Sequence, residues 1–123
     1  MLKNDPKPVT INLHQKTRLL EIEYDDGRRF EFSAEFLRVH SPSAEVRGHG
    51  PGQGTLQTGK ENVSITTIEP VGNYAIKLLF DDGHNTGIYS WPYLYDMGTN
   101  KQKYWQEYLD ALDRAGHTRQ HNG

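Results

Sequence analysis

A chain of 123 residues with 34 per cent hydrophobic residues has the size and apolar content of one domain around one modest core. Fourteen Lys and Arg against sixteen Asp and Glu leave a formal charge of −2, which offers no basic footprint for nucleic acid, and no stretch approaches the roughly 18 consecutive apolar residues of a membrane span. The absence of cysteine excludes disulfides, thiolate metal sites and thiol nucleophiles.

Residues 1–10 carry Pro6 and Pro8 among polar neighbours and are expected to form a flexible N-terminus. The opening Met1-Leu2-Lys3-Asn4-Asp5 lacks the apolar region of a signal peptide, so a cytoplasmic protein is expected. A single folded domain is then expected over 11–116, with 117–123 as a disordered tail. Within it, Leu20, Ile22 and Tyr24 alternate with Glu21 and Glu23, Asp26-Gly27 follows, and Phe30 and Phe32 resume the alternation. Period-two alternation around Asp-Gly predicts a β-hairpin closed by a two-residue type I′ turn. The same construction returns where Ile76, Leu78 and Phe80 lead into Asp81-Asp82-Gly83 and Ile88-Tyr89.

The two stretches form a pseudo-repeat. Tyr24-Asp25-Asp26-Gly27 aligns with Phe80-Asp81-Asp82-Gly83, and after a one-residue insertion Ser33-Ala34-Glu35-Phe36-Leu37 aligns with Ser90-Trp91-Pro92-Tyr93-Leu94. Each copy reads as a hairpin followed by a short helix, with the serine as N-cap and Pro92 accommodated in a first turn. Between the copies, the run from Val63 to Ile68 predicts a strand that ends at Pro70, Gly72 and Asn73 and pairs with residues 74–80. Thr99-Asn100-Lys101-Gln102 fits a capping box, Tyr104, Trp105, Tyr108, Leu109 and Leu112 form one helical face, and Gly116 supplies a stop. The expected fold is α+β: a small, mostly antiparallel sheet built from two hairpin and short-helix units, with a C-terminal helix packed on it.

Gly54-Thr55-Leu56-Gln57-Thr58-Gly59-Lys60 satisfies most of the nucleotide-binding pattern G-x-x-x-x-G-K-[ST], but Glu61 stands where a hydroxyl would meet Mg²⁺ and a strand-like run follows. Both features argue against phosphate binding, which needs a helix amino terminus. The Gly-rich stretch from about His40 to Lys60 instead reads as a surface loop, either functional or disordered. His40, Glu45 and His49 lie in or beside it, and His84 follows the second Asp-Gly turn, which makes these four the candidate metal ligands. Their spacing matches no compact ligand motif, and isolated histidines are ordinarily surface or hydrogen-bonded residues. No G-x-S-x-G elbow is present, and Asp25, Asp26, Asp81 and Asp82 read as turn residues, so no catalytic residue is assigned. Seven aromatics fall between Tyr89 and Tyr108. Most belong to a core, while Tyr95 and Tyr104 are expected at an exposed edge, and with Arg47 and His49 in the loop they are the candidate partner contacts.

Leu20 to Arg38, Ser41-Pro42-Ser43-Ala44-Glu45-Val46-Arg47-Gly48-His49 and Phe80 to Leu94 resemble the gamma-butyrobetaine hydroxylase-like N-terminal domain, in particular its free-standing bacterial members. The resemblance implies a compact α+β fold. In the carnitine-biosynthesis dioxygenases it implies a domain that precedes the catalytic one and holds zinc through three cysteines of a C-x-C-x-x-C stretch and one histidine. Here Ser41, Ser43 and Val46 occupy the cysteine positions and His84 matches the histidine; serine and valine do not replace thiolates. Similar domains joined to P-loop ATPases of the iron–sulfur carrier type imply an accessory role in cluster delivery. The expectation is therefore a non-enzymatic accessory or protein-interaction module, monomeric, with an unidentified protein partner, no cofactor, and no nucleic-acid or membrane contact. The alternative is a zinc- or iron-binding domain using His84 with His40, Glu45 or His49.

Overall fold

The computed structural model describes residues 5–43, 46 and 55–119. In chain order these form β1 (Pro8–His14), β2 (Leu19–Tyr24), β3 (Arg29–Ser33), α1 (Ala34–Val39), β4 (Ile65–Val71), β5 (Ala75–Phe80), β6 (Gly87–Ser90), α2 (Trp91–Thr99) and α3 (Lys101–Arg114). The class is α+β, as the alternation and helical periodicity require. The strands make two three-stranded antiparallel sheets, β1-β2-β3 and β4-β5-β6, because each hairpin is completed by the strand that precedes it.

Two of those preceding strands depart from the expected bounds. β1 starts at Pro8, inside the segment expected to be flexible, and pairs along β2 from Pro8 opposite Tyr24 to His14 opposite Leu19. β4 runs through Pro70, which faces Ile76. Proline lacks only the donor, and both strands lie at sheet edges, where the missing amide interrupts no ladder on the open side.

Both Asp-Gly turns differ from the expected type. Gly27 donates to the Tyr24 carbonyl at 3.0 Å and Tyr24 to that of Arg28 at 2.8 Å. Gly83 donates to the Phe80 carbonyl at 3.2 Å and Phe80 to that of His84 at 3.0 Å. Only the glycines are left-handed, with φ +89° and +90°; the preceding aspartates are not. A type I′ turn requires two residues at positive φ, so each loop is instead a three-residue one, a type I turn closed by a left-handed glycine. The second aspartate of each turn then caps the loop: Asp26 Oδ1 accepts from the Arg28 amide at 3.0 Å and Asp82 Oδ1 from the His84 amide at 3.1 Å.

The helices follow the pseudo-repeat. Ser33 Oγ accepts from the Phe36 amide at 3.0 Å and Ser90 Oγ from the Tyr93 amide at 3.3 Å. The expected capping box at Thr99 does not form, because Thr99 is the last residue of α2 and the side chain of Asn100 bonds backward to Asp96. At the other end of α3, Gly116 (φ +78°) donates to Asp113 at 3.0 Å and His117 to Leu112 at 2.9 Å, a Schellman stop.

Each repeat's helix is held by the other repeat's turn. Arg38 of α1 donates through Nε to Asp82 Oδ2 at 2.8 Å, and Tyr95 of α2, its equivalent in the alignment, donates to Asp26 Oδ2 at 2.6 Å. Gly98 of α2 lies so close to β3 that an added Cβ would stand 2.3 Å from Phe30. Leu20, Ile22, Phe32, Leu37, Ile65, Leu78, Tyr89 and Leu94 are buried in the core between these units. Each large apolar side chain so buried contributes roughly 1.5–3 kcal/mol. A smaller cluster of Val39, Tyr108 and Leu112 fixes α3.

Candidate functional site

The segment leaving α1 and the turn after β5 meet in the interior. Ser41 Oγ lies 2.8 Å from His84 Nε2. The Ser43 amide donates to Ser41 Oγ at 3.3 Å, and Thr86 Oγ1 donates to Ser43 Oγ at 3.0 Å. Ser41 is fully enclosed, Ser43, Val46 and His84 are buried, and a Cβ at Gly87 would stand 2.6 Å from Ser41 Oγ. Ser41, Ser43 and His84, apart in sequence, are thus neighbours. Their donor set does not fit a thiolate-held zinc: hydroxyls bring no negative charge to offset Zn²⁺, and His84 Nε2 is engaged by Ser41. A serine beside a histidine also has the outline of a nucleophile and its base, but Ser41 is fully enclosed, and its Oγ already takes the Ser43 amide as well as His84.

Asp82 gathers charge at the rim of this cluster. Its Oδ2 accepts from Arg38 Nε at 2.8 Å and Lys60 Nζ at 2.6 Å. Partial burial pushes the carboxyl up, but hydrogen bonds from Lys60, the His84 amide and Arg38 outweigh it and hold the group at about 2. Lys60, the lysine of the nucleotide-binding pattern, is committed to this ion pair. The chain then turns into β4 with no intervening helix, as expected, while Gly54 lies outside the described residues.

His40 is turned to a different neighbourhood. Its Nδ1 donates to the Phe36 carbonyl at 2.8 Å, and its ring lies 4.4 Å from that of Phe36 and 6.2 Å from those of Tyr104 and Tyr108. Burial lowers its pKa below the ordinary 6.5. Among the described residues no three His, Asp or Glu side chains gather in metal-holding geometry. Glu45, Arg47 and His49 lie outside the described residues.

Tyr95 and Tyr104, expected at an exposed edge, are half-buried and anchored. The Tyr95 ring packs edge-on against Tyr24 at 5.0 Å and Phe30 at 5.4 Å, and its hydroxyl holds Asp26. Tyr104 donates to Asp96 Oδ2 at 2.7 Å. Each carboxylate bond raises the pKa of its tyrosine. Among the described residues the exposed large apolar side chains lie elsewhere: Val9, Tyr74 and Ile88.

A concavity of about 740 Å³ runs between β3 and α3. Phe36 and Trp105 give it an aromatic lining, and Glu31, Lys101, Lys103 and Gln106 a polar one. A second cavity of about 400 Å³ shares Ser33 and Trp105 with it and contains Glu35, Glu61 and Arg119. Arg119, in the stretch expected to be disordered, donates to Glu35 through Nε at 2.8 Å and Nη2 at 2.6 Å. Its guanidinium carbon lies 5.4 Å from the Trp105 ring centroid. Trp105 was legible as a helix-face residue; the Glu35–Arg119 pair spans 84 positions and has no periodic signature.

Two meander-and-helix units with exchanged helix-to-turn contacts, linked by a buried polar cluster, define the class: a small α+β domain organised as an internal duplication. The model of the family described as gamma-butyrobetaine hydroxylase-like, N-terminal, matches residues 11–95, and the chain belongs to that family. Two solution NMR structures are similar to it: one at 50% identity and TM-score 0.81, covering 97% of this chain and 89% of that one, the other at 46% and 0.80, covering 96% and 93%. A crystal structure from Acidithiobacillus ferrooxidans ATCC 23270, of a protein with unknown function in the DUF971 family, is similar at 38% identity and TM-score 0.66, covering 77% of this chain and 98% of that one. No curated protein matches.

Proposed function

We propose that this chain is a non-enzymatic accessory module that docks on a partner protein through the face formed by β3 and α3. The groove of about 740 Å³ between those elements carries the reading. Aromatic side chains surrounded by charged and amide groups are the anatomy of a protein interface, where buried rings supply affinity and the polar rim supplies fit. The chemically able side chains elsewhere have structural employment. Ser41 and His84 are enclosed together, Asp82 is ion-paired, and Asp26 and Asp96 accept tyrosine hydroxyls. The resemblance to domains joined to P-loop ATPases of the iron–sulfur carrier type makes such a carrier the first partner to test. Among the described residues no helix is long and apolar enough to cross a membrane.

The test is capture from an extract of the source cells and direct titration with a carrier ATPase, comparing the unaltered chain with Trp105→Ala and Lys103→Glu. Loss of the same partner in both variants is expected. Equal capture by all three chains would remove this face as the interface.

A further inference from the structure

Glu35 is a carboxylate on the first turn of α1 with only 5% of its side chain exposed. A buried carboxylate is stable only beside a cation that also saturates its lone pairs. The cation is Arg119, whose Nε and Nη2 grip both oxygens at 2.6 to 3.0 Å. This planar fork is a geometry that lysine does not reproduce. Trp105 adds an indole within 5.4 Å of the guanidinium, the arrangement in which arginine gains from an aromatic ring. Glu35 and Trp105 thus form a receptor for a guanidinium.

The occupant is delivered in an unusual way. α3 stops at Gly116 with its Schellman bonds, the last made by the His117 amide. Among the described residues Thr118 and Arg119 make no backbone–backbone hydrogen bond, and Arg119 is attached through its side chain to Glu35 and Trp105. Space also remains beside it: the cavity of about 400 Å³ is lined by Lys16, Arg18 and Glu61 as well, and shares Ser33 and Trp105 with the β3–α3 groove.

We propose that the Glu35–Trp105 pocket recognises an arginine side chain of the partner protein, and that Arg119 is a tethered occupant displaced when the partner docks. The inference rests on the interaction-module reading and names the chemistry of the partner at that face. A tethered occupant competes with an incoming arginine at the effective concentration its short tether sets, so the unaltered chain rejects weak arginine ligands and accepts one carried by a larger docking surface.

The experiment titrates N-acetyl-arginine amide into the full chain while following the indole N–H resonance of Trp105, assigned with Trp105→Phe. Arg119→Ala is expected to bind saturably and at least about ten-fold more tightly than the unaltered chain. N-acetyl-lysine amide should bind more weakly than the arginine compound, and Glu35→Gln added to Arg119→Ala should abolish the response. If Arg119→Ala does not fold, Arg119→Lys keeps a cation at the pocket and should show binding between the two. A folded Arg119→Ala or Arg119→Lys chain that does not respond, or that responds no better than the unaltered chain, overturns the proposal. Partner capture separates the two readings: a partner retained in full by Glu35→Gln but lost in Trp105→Ala sinks the arginine pocket and leaves the docking face standing.

Discussion

Ser41 Oγ and His84 Nε2, 2.8 Å apart, tie the segment after α1 to the second hairpin turn in an enclosed space. Removing either partner deletes this buried hydrogen bond, so Ser41→Ala and His84→Ala are each expected to cost about 1–2 kcal/mol, read from urea unfolding. On the same argument the fold is expected not to require metal: the unfolding temperature should be equal with and without EDTA. A drop on adding EDTA, reversed by zinc and absent in His84→Ala, would restore the metal-binding alternative. The position of this cluster was legible through the family motif. What the serines do there was not, because hydroxyl partners across the chain leave no pattern in the sequence.

β-Hairpins were legible because burial imposes a period of two on Leu20, Ile22 and Tyr24 and on Ile76, Leu78 and Phe80. Turn type was not, since Asp-Gly serves both two-residue and three-residue loops. In β1, Ile11 and Leu13 alternate with Asn12 and His14, but flanking prolines obscured a strand that an edge tolerates. Gly27 and Gly83 sit near φ +90°, where a β-branched residue is strained, so Gly27→Val and Gly83→Val should each destabilise by at least about 1 kcal/mol. Equal denaturation midpoints would contradict the observed turns. Gly98 is a sharper case because its constraint lies between repeats. Gly98→Ala places a methyl against Phe30 and should cost about 1–3 kcal/mol through overpacking, despite alanine's better helix propensity. Phe30→Leu in the same chain should recover part of that loss; no recovery would mean that the close approach is not the cause.

The two repeats are joined by reciprocal contacts, Arg38 to Asp82 and Tyr95 to Asp26, so the interface that unites the molecule depends on ionised carboxylates at two turn tips. Its response to acid follows from groups whose folded pKa lies below the ordinary value: Asp26, held down by the Tyr95 hydroxyl, His40 and Asp82. His40 is lowered by burial: its contribution is complete above about 6.5, the unfolded value, and is lost as the pH falls through the lower folded one. Asp82 is held at about 2 against an ordinary 3.8: its contribution is complete above the ordinary value and is lost as the pH falls toward the folded one. Both signs point the same way. Unfolding free energy should therefore decline in two steps on acidification, the first beginning near pH 6.5 and the second below about pH 4, the latter about 1 kcal/mol after solvent screening. Urea titrations across that range check this. His40→Gln should flatten the first step and leave the second, while Asp82→Asn should lower stability at neutral pH and reduce the second. A first step that persists unchanged in His40→Gln, or stability that rises on acidification from pH 7 to 5, would show that the half-buried ring of His40 is not what couples the fold to protons.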